Sequence, residues 1–173
     1  MTAPGEAVGS AAPPLHADVA DLAFLLGTWR GEGRGIYPTI EDFAYGEEVT
    51  FDHVGDAFLG YTQRGWLLDD GTPLHLERGF IRPGRDGAYE LTLAHPLGLT
   101  EVAHGRLAGT TLTFDTGEGD VRRTATGMHV VALSRRYECD GAILRSSLDM
   151  TTDETPHTRH LEAELHRVGR GAG

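Results

Sequence analysis

Nine histidines are a high count for a sequence of 173 residues, and they are the first candidates for chemistry. Three of them, His157, His160 and His166, lie near the C-terminus, but their spacing fits no familiar zinc motif. On a strand, His160 and His166 share a face about 20 Å apart, at ~3.3 Å per residue, which excludes a shared zinc ion. Since most histidines are surface or hydrogen-bonded core residues, spacing alone assigns no site.

The other reactive residue types form no familiar catalytic motif. No Gly-x-Ser-x-Gly sequence of a serine hydrolase is present. The single cysteine, Cys139, has no histidine adjacent in sequence, so thiol catalysis is not expected. The pairs Glu47-Glu48 and Asp69-Asp70 are expected to be solvated loop or strand-end charges, which gives glycosidase chemistry no support.

The charged residues exclude further classes of function. All 15 basic residues are arginines, so P-loop, Schiff-base and lysine-base chemistries are excluded. The formal net charge of −11 disfavours nucleic acid as a partner. The sequence has no apolar segment of about 18 residues and no signal-peptide pattern, and one cysteine favours a reducing compartment. We therefore expect a cytoplasmic protein with no membrane partner.

The hydrophobic pattern predicts an all-β protein with a short N-terminal helix. Residues His16–Leu26 show helical spacing, and after Gly27 the apolar period becomes roughly two. Glycine is 24 of 173 residues, and aspartate–glycine pairs mark tight hairpins. The predicted strands lie near residues 29–37, 47–54, 58–67, 74–82, 88–94, 99–106, 110–114, 129–139, 142–151 and 159–168.

Ten consecutive antiparallel strands are expected to close into an up-and-down β-barrel, because closure removes exposed strand edges. Such a barrel is wider than the eight-stranded size that side chains alone can fill. The architecture therefore suggests an interior cavity and a ligand. We expect a disordered tail at residues 1–17, the barrel at 18–168, and a second tail at 169–173.

The most distinctive segment is GTWRGEGRGIYPTI at residues 27–40. Its spacing is not that of a dinucleotide-binding loop. Its alternate glycines leave one face of a strand bare, where a backbone, a ligand or a sharp bend can come close. Barrel curvature, with Trp29 plugging one end, and ligand contact are both consistent with this pattern.

This segment resembles the N-terminal signature of the nitrobindin family, ten-stranded β-barrels that hold haem b. The segment MTTDETPHTRHLEAEL at residues 150–165 resembles the last two strands of the same family. The likeness runs from about residue 18 to residue 168. It implies one haem b per chain, with the axial iron ligand at His160, the histidine before Leu-x-Ala-x-Leu. A neutral imidazole is a good ligand for haem iron and leaves the sixth position open.

The resemblance implies further haem contacts. Leu74 and His75 match the segment that faces the open side of the haem, where His75 would donate a hydrogen bond. Thr39 matches a haem-contacting position, His129 stands where a basic residue is common, and Met150 matches an apolar contact. On composition alone, and not from the resemblance, Arg122, Arg123 and His129 are candidates for binding the haem propionates.

Strand alternation conflicts with an inward His160. On a regular strand, Leu161, Ala163 and Leu165 would then point outward. Either a β-bulge shifts the alternation after His160, or the apolar outer face packs against the helix or a second subunit. The second alternative would favour a homodimer. We also expect a carbonyl or carboxylate to orient the His160 ring.

The family resemblance implies a ferric haem protein that binds nitric oxide and isomerises peroxynitrite to nitrate, with His160 and His75 as the catalytic residues. The alternatives are a non-enzymatic haem carrier or nitric oxide sensor, and a barrel that carries a small apolar ligand such as a fatty acid.

Overall fold

The computed structural model describes residues 13–169. Most of the expected N-terminal tail and residues 170–173 lie outside this range. A 3-10 helix at Ala17–Leu25 is followed by ten strands, which confirms the predicted order of elements. The strands are β1 (Gly27–Gly35), β2 (Phe43–Asp52), β3 (Leu59–Leu67), β4 (Pro73–Pro83), β5 (Tyr89–His95), β6 (Leu99–Ala108), β7 (Thr111–Arg123), β8 (Ala132–Cys139), β9 (Ile143–Thr151) and β10 (Thr158–Arg167).

Each strand pairs antiparallel with its neighbour in sequence, and β1 pairs with β10 to close the barrel. The predicted fold, a closed ten-stranded up-and-down barrel with one short helix, is therefore confirmed. Within residues 13–169, no helix has the length and hydrophobicity needed to cross a membrane.

Several strand boundaries differ from the predictions, and β2 begins at Phe43 instead of near Glu47. β7 continues to Arg123 instead of ending near Phe114, and β8 begins at Ala132 instead of His129. The polar residues 115–120 lack apolar alternation, so the sequence pattern does not mark them as a strand. In the structure, Ala103 on β6 pairs with Thr116 on β7, and the next pair along the ladder is Glu101 with Val121. The β7 residues between these two pairs are unpaired with β6, and among them Gly119 has a φ of +78°.

The helix closes one end of the barrel. Its residues Val19, Leu22 and Leu25 are fully buried. The indole N–H of Trp29, at the start of β1, donates to the carbonyl oxygen of Leu25 over 2.7 Å. Packed side chains fill this end. The opposite end, where β1 ends and β10 begins, contains a cavity.

The bare glycine face of β1 is required by the barrel itself. A Cβ on Gly31 would lie 2.1 Å from the carbonyl oxygen of Glu164 on β10. A Cβ on Gly33 would lie 2.7 Å from the ring of Tyr45 on β2. Close approach of backbone and protein rings therefore accounts for these glycines.

Candidate functional site

His160 lies at a bulge in β10. Arg159 pairs with Asp149 and Leu161 pairs with Leu148, so His160 is one extra residue on β10 at this point. Its carbonyl oxygen accepts a hydrogen bond from the backbone N–H of Ile36 over 2.9 Å. The bulge resolves the conflict in strand alternation, because His160 and Leu161 both line the cavity.

The residues after the bulge also point inward. Leu165 is fully buried, and Ala163 is 9% exposed. Both belong to the main hydrophobic core of the barrel. The apolar outer face that would have favoured a homodimer is therefore not formed by these residues.

The environment of His160 keeps its imidazole neutral. Burial lowers the pKa of His160, and the nearby His75 lowers it further. The ring of Tyr37 packs edge-on against it, with the ring centroids 5.1 Å apart. Within residues 13–169, Nδ1 of His160 is buried and has no hydrogen-bond partner. The expected carbonyl or carboxylate that would orient the ring is not found in the described structure.

The cavity at the open end of the barrel has a volume of about 200 Å³ and mainly apolar walls. Three residues expected at a haem, Leu74, His75 and Met150, line it together with His160. The other aliphatic walls are Leu97, Leu99, Val130, Leu133, Leu148 and Leu161. The cavity can therefore receive a largely apolar group at a neutral imidazole.

One wall of this cavity carries a buried charged cluster, which we define as His75, Glu77, His95, Glu101 and Arg135. The Arg135 guanidinium donates to both carboxylate oxygens of Glu77 over 2.8 and 3.0 Å. It also donates two hydrogen bonds to Oε1 of Glu101, over 2.7 and 2.9 Å. The side chains of Glu77, Glu101 and Arg135 are all at least 96% buried.

The two histidines of the charged cluster flank Glu77. Nε2 of His75 lies 2.9 Å from Oε2 of Glu77, and Nδ1 of His95 lies 3.3 Å from the same oxygen. Burial raises the pKa of Glu77, but Arg135 and the hydrogen bond from His75 outweigh burial and hold the pKa well below its ordinary value. Glu77 is therefore a carboxylate at neutral pH, and the His75 ring donates to it.

The sequence reasoning missed four of these five residues. Glu77, His95, Glu101 and Arg135 lie on four different strands, and none of them forms a motif with its neighbours in sequence. The available signal was strand parity, because Glu77 stands two residues from His75 and four from the buried Ile81. A charged residue at an inward position is unusual enough to indicate a site.

Glu47 corrects the expectation that the paired carboxylates are solvated. It is 1% exposed and accepts hydrogen bonds from the hydroxyls of Tyr45 (2.8 Å) and Ser146 (2.9 Å). Burial raises its pKa. Alternation along β2 places Glu47 inside, whereas Glu48 pairs with Arg64 on the outer face. Asp69 and Asp70 are exposed, as expected.

Thr39 and His129 are not among the residues that line the cavity. Thr39 is exposed in the turn after β1. His129 is exposed and pairs with Asp153 over 2.9 Å, although its neighbours Met128 and Val130 line the cavity. Arg122 and Arg123 are likewise exposed, at the end of β7. Their contact with a haem stays a prediction.

Comparisons with known proteins identify the family of the chain. Residues 18–167 match a family described as the THAP4-like, heme-binding beta-barrel domain. The peroxynitrite isomerase of Nocardia farcinica is 45% identical over 155 residues, 88% of this chain and 92% of that protein. Peroxynitrite isomerase 2 of Mycobacterium avium is 46% identical over 155 residues, 88% of this chain and 96% of that protein.

A solved structure has the same fold. The crystal structure of Rv2717c from M. tuberculosis superposes with a TM-score of 0.82 at 42% sequence identity. The match covers 90% of this chain and 99% of that one.

Proposed function

The chain belongs to the family of THAP4-like, heme-binding β-barrel domains, which fits the nitrobindin resemblance, and we propose that it is a haem-dependent peroxynitrite isomerase. In this proposal one haem b binds in the cavity with His160 as its axial ligand. The protein also binds nitric oxide there. The observation that carries the proposal is an imidazole that a bulge places at an apolar cavity inside the barrel.

The residues present fit a haem. The imidazole of His160 is held in the deprotonated form that iron requires, because burial lowers its pKa. Aliphatic walls suit the porphyrin face, and Leu74 and Met150 are two of them. A ferric haem supplies a Lewis-acidic iron with one open coordination position.

The chain's own residues would perform three tasks. His160 holds the cofactor, and the apolar walls exclude water and confine the reacting fragments until nitrate forms. His75 orients the reactant. Because Nε2–H of His75 donates to Glu77, the ring would donate a hydrogen bond to a bound anion through Nδ1–H, which requires the imidazolium form. Arg135 and Glu77 hold that ring in place and do not themselves need to touch the anion.

The first test is an absorption titration with hemin. Wild-type protein is expected to give a sharp Soret band at one hemin per chain, and His160→Ala is expected to lose or shift it. His157→Ala is the matched control, because His157 lies three residues before the bulge and is exposed. Its ring hydrogen-bonds to the hydroxyl of Thr151. If wild type shows no Soret change, or if both variants behave alike, His160 is not the haem ligand.

The second test is stopped-flow decay of peroxynitrite with measurement of nitrate and nitrite. Hemin-loaded protein should accelerate decay and direct the product to nitrate, and the hemin-free chain should do neither. Hemin binding without acceleration would favour the haem carrier or nitric oxide sensor. Mass spectrometry of a gentle organic extract would identify a fatty acid if the cavity carries an apolar ligand instead.

A further inference from the structure

Three side chains of the charged cluster offer metal-ligand atoms, and His160 is not one of them. Within the described residues, His75, Glu77 and His95 each present one ligand atom, and these three atoms lie within 4.8 Å of one another. We propose that His75, Glu77 and His95 bind a divalent transition-metal ion, at a second site distinct from the proposed haem ligand.

The distances suit a small ion between the three atoms. Nε2 of His75 and Nδ1 of His95 lie 2.9 and 3.3 Å from Oε2 of Glu77. A tetrahedral zinc ion with bonds near 2.1 Å holds its ligands about 3.4 Å apart. Small side-chain movements, with the His75 ring proton moved from Nε2 to Nδ1, would complete the site. Two imidazoles and one carboxylate with open positions are a ligand set used for zinc and for non-haem iron(II).

The surroundings of His95 also match those of a metal ligand. Its Nε2 is buried without a hydrogen-bond partner in the described structure, and it lies 3.6 Å from Oε1 of Glu101. If Nδ1 binds a metal, the ring proton must be on Nε2, facing Glu101. That is the carboxylate–histidine–metal arrangement that fixes ring orientation and raises ligand basicity. The ion at Nδ1 would thus fix the ring proton on the unpartnered Nε2, where Glu101 is the nearby acceptor.

Arg135 is compatible with the ion. It donates to both oxygens of Glu77, but each carboxylate oxygen has a second lone pair that can bind a metal. When both imidazoles are neutral, the two carboxylates of Glu77 and Glu101 and the guanidinium of Arg135 give the charged cluster one net negative charge. The cluster therefore attracts a cation. The open coordination positions of the ion would face the cavity, because all three ligands line it.

Cobalt(II) is the probe, because its visible d–d bands report the ligand number. Wild-type full-length chain without hemin is expected to bind one Co²⁺, and Zn²⁺ should displace it. His75→Gln and His95→Gln should each weaken binding at least tenfold while leaving the Glu77–Arg135 pair in place. His104→Gln is the matched control, because His104 is exposed and, among the described residues, its ring nitrogens come within 4.0 Å of one carboxylate, that of Asp120. It should change the affinity less than twofold.

A measurement on wild type alone guards against variants that fail to fold. Zinc X-ray absorption should count two imidazole ligands on the bound ion. No bound Co²⁺, a zinc ion with no imidazole ligand, or equal loss of affinity in all three variants would each overturn the proposal. None of these readouts requires haem, so failure of the metal site and failure of the haem proposal are distinguishable.

Discussion

Replacing Arg135 with methionine tests whether the charged cluster is a coupled ionic unit. Methionine has a similar length and fills the same space, so the change removes charge and hydrogen bonds more than packing. It deletes four hydrogen bonds of 2.7–3.0 Å and leaves Glu77 and Glu101 buried without their cation. Removing one partner from a buried ion pair costs about 3–5 kcal/mol.

We therefore expect the free energy of unfolding of Arg135→Met to fall by about 3–5 kcal/mol at pH 7. For a chain of this length, each kcal/mol lowers the melting temperature by roughly 2–4 °C, so the shift should be about 6–20 °C. Urea unfolding followed by tryptophan fluorescence, to which the buried Trp29 contributes, measures the loss. Arg136→Met is the matched control, because that neighbouring side chain is half exposed, and it should cost under about 1 kcal/mol.

The loss should depend on pH in a defined direction. In wild type the pKa of Glu77 is lowered, so its contribution to stability is present above its ordinary pKa of 4.5 and is lost as pH falls below that value. Without Arg135, burial is the largest effect and raises the pKa of Glu77, so the variant loses stability as pH rises. The difference in free energy of unfolding between wild type and Arg135→Met should therefore be smaller at pH 5 than at pH 7. A difference below about 1 kcal/mol at pH 7, or an equal difference at both pH values, would refute this reasoning.

Three shorter predictions concern the barrel and His160. Gly31→Ala should destabilise the barrel by about 1–3 kcal/mol in urea unfolding, because its Cβ would overlap the carbonyl oxygen of Glu164. Leu165→Ala should cost about 2–5 kcal/mol since Leu165 is fully buried, whereas Val168→Ala at a 46% exposed position should cost far less; equal losses would contradict the burial argument. In an NMR titration of the hemin-free chain, His160 should titrate below 6.5, its ordinary pKa, and a midpoint above 6.5 would show that burial does not control it.

Local sequence patterns predicted most of the fold because each strand pairs with its neighbour in sequence. Period-two alternation and glycine turns define a hairpin locally, and ten hairpin-linked strands leave closure as the way to remove both edges. The prediction was wrong at residues 115–123, which belong to β7 although apolar alternation is absent at 115–120, and at residues 129–131, which precede β8. There the extension of β7 follows from its pairing with β6, which the sequence of β7 does not encode by itself.

The charged cluster could not be predicted in the same way. Arg135 contacts Glu101 across 34 residues and Glu77 across 58, and both contacts depend on the register of the intervening strands. A shift of one residue in any pairing would turn one of these side chains to the outer face. Family resemblance identified His75 because it belongs to a sequence motif, whereas its partners are brought to it only by the closed barrel.

The conflict in alternation at His160 was itself informative about the site. A regular strand can point either His160 or Leu161 inward, but the residue type at each position favours the interior for both. One extra residue in β10 satisfies both demands, at the cost of an interrupted β9–β10 pairing. Bulges are often found beside active sites, where they redirect a side chain. At this one, the redirected side chain is the imidazole that faces the cavity, so local irregularity and proposed function fall on the same residue.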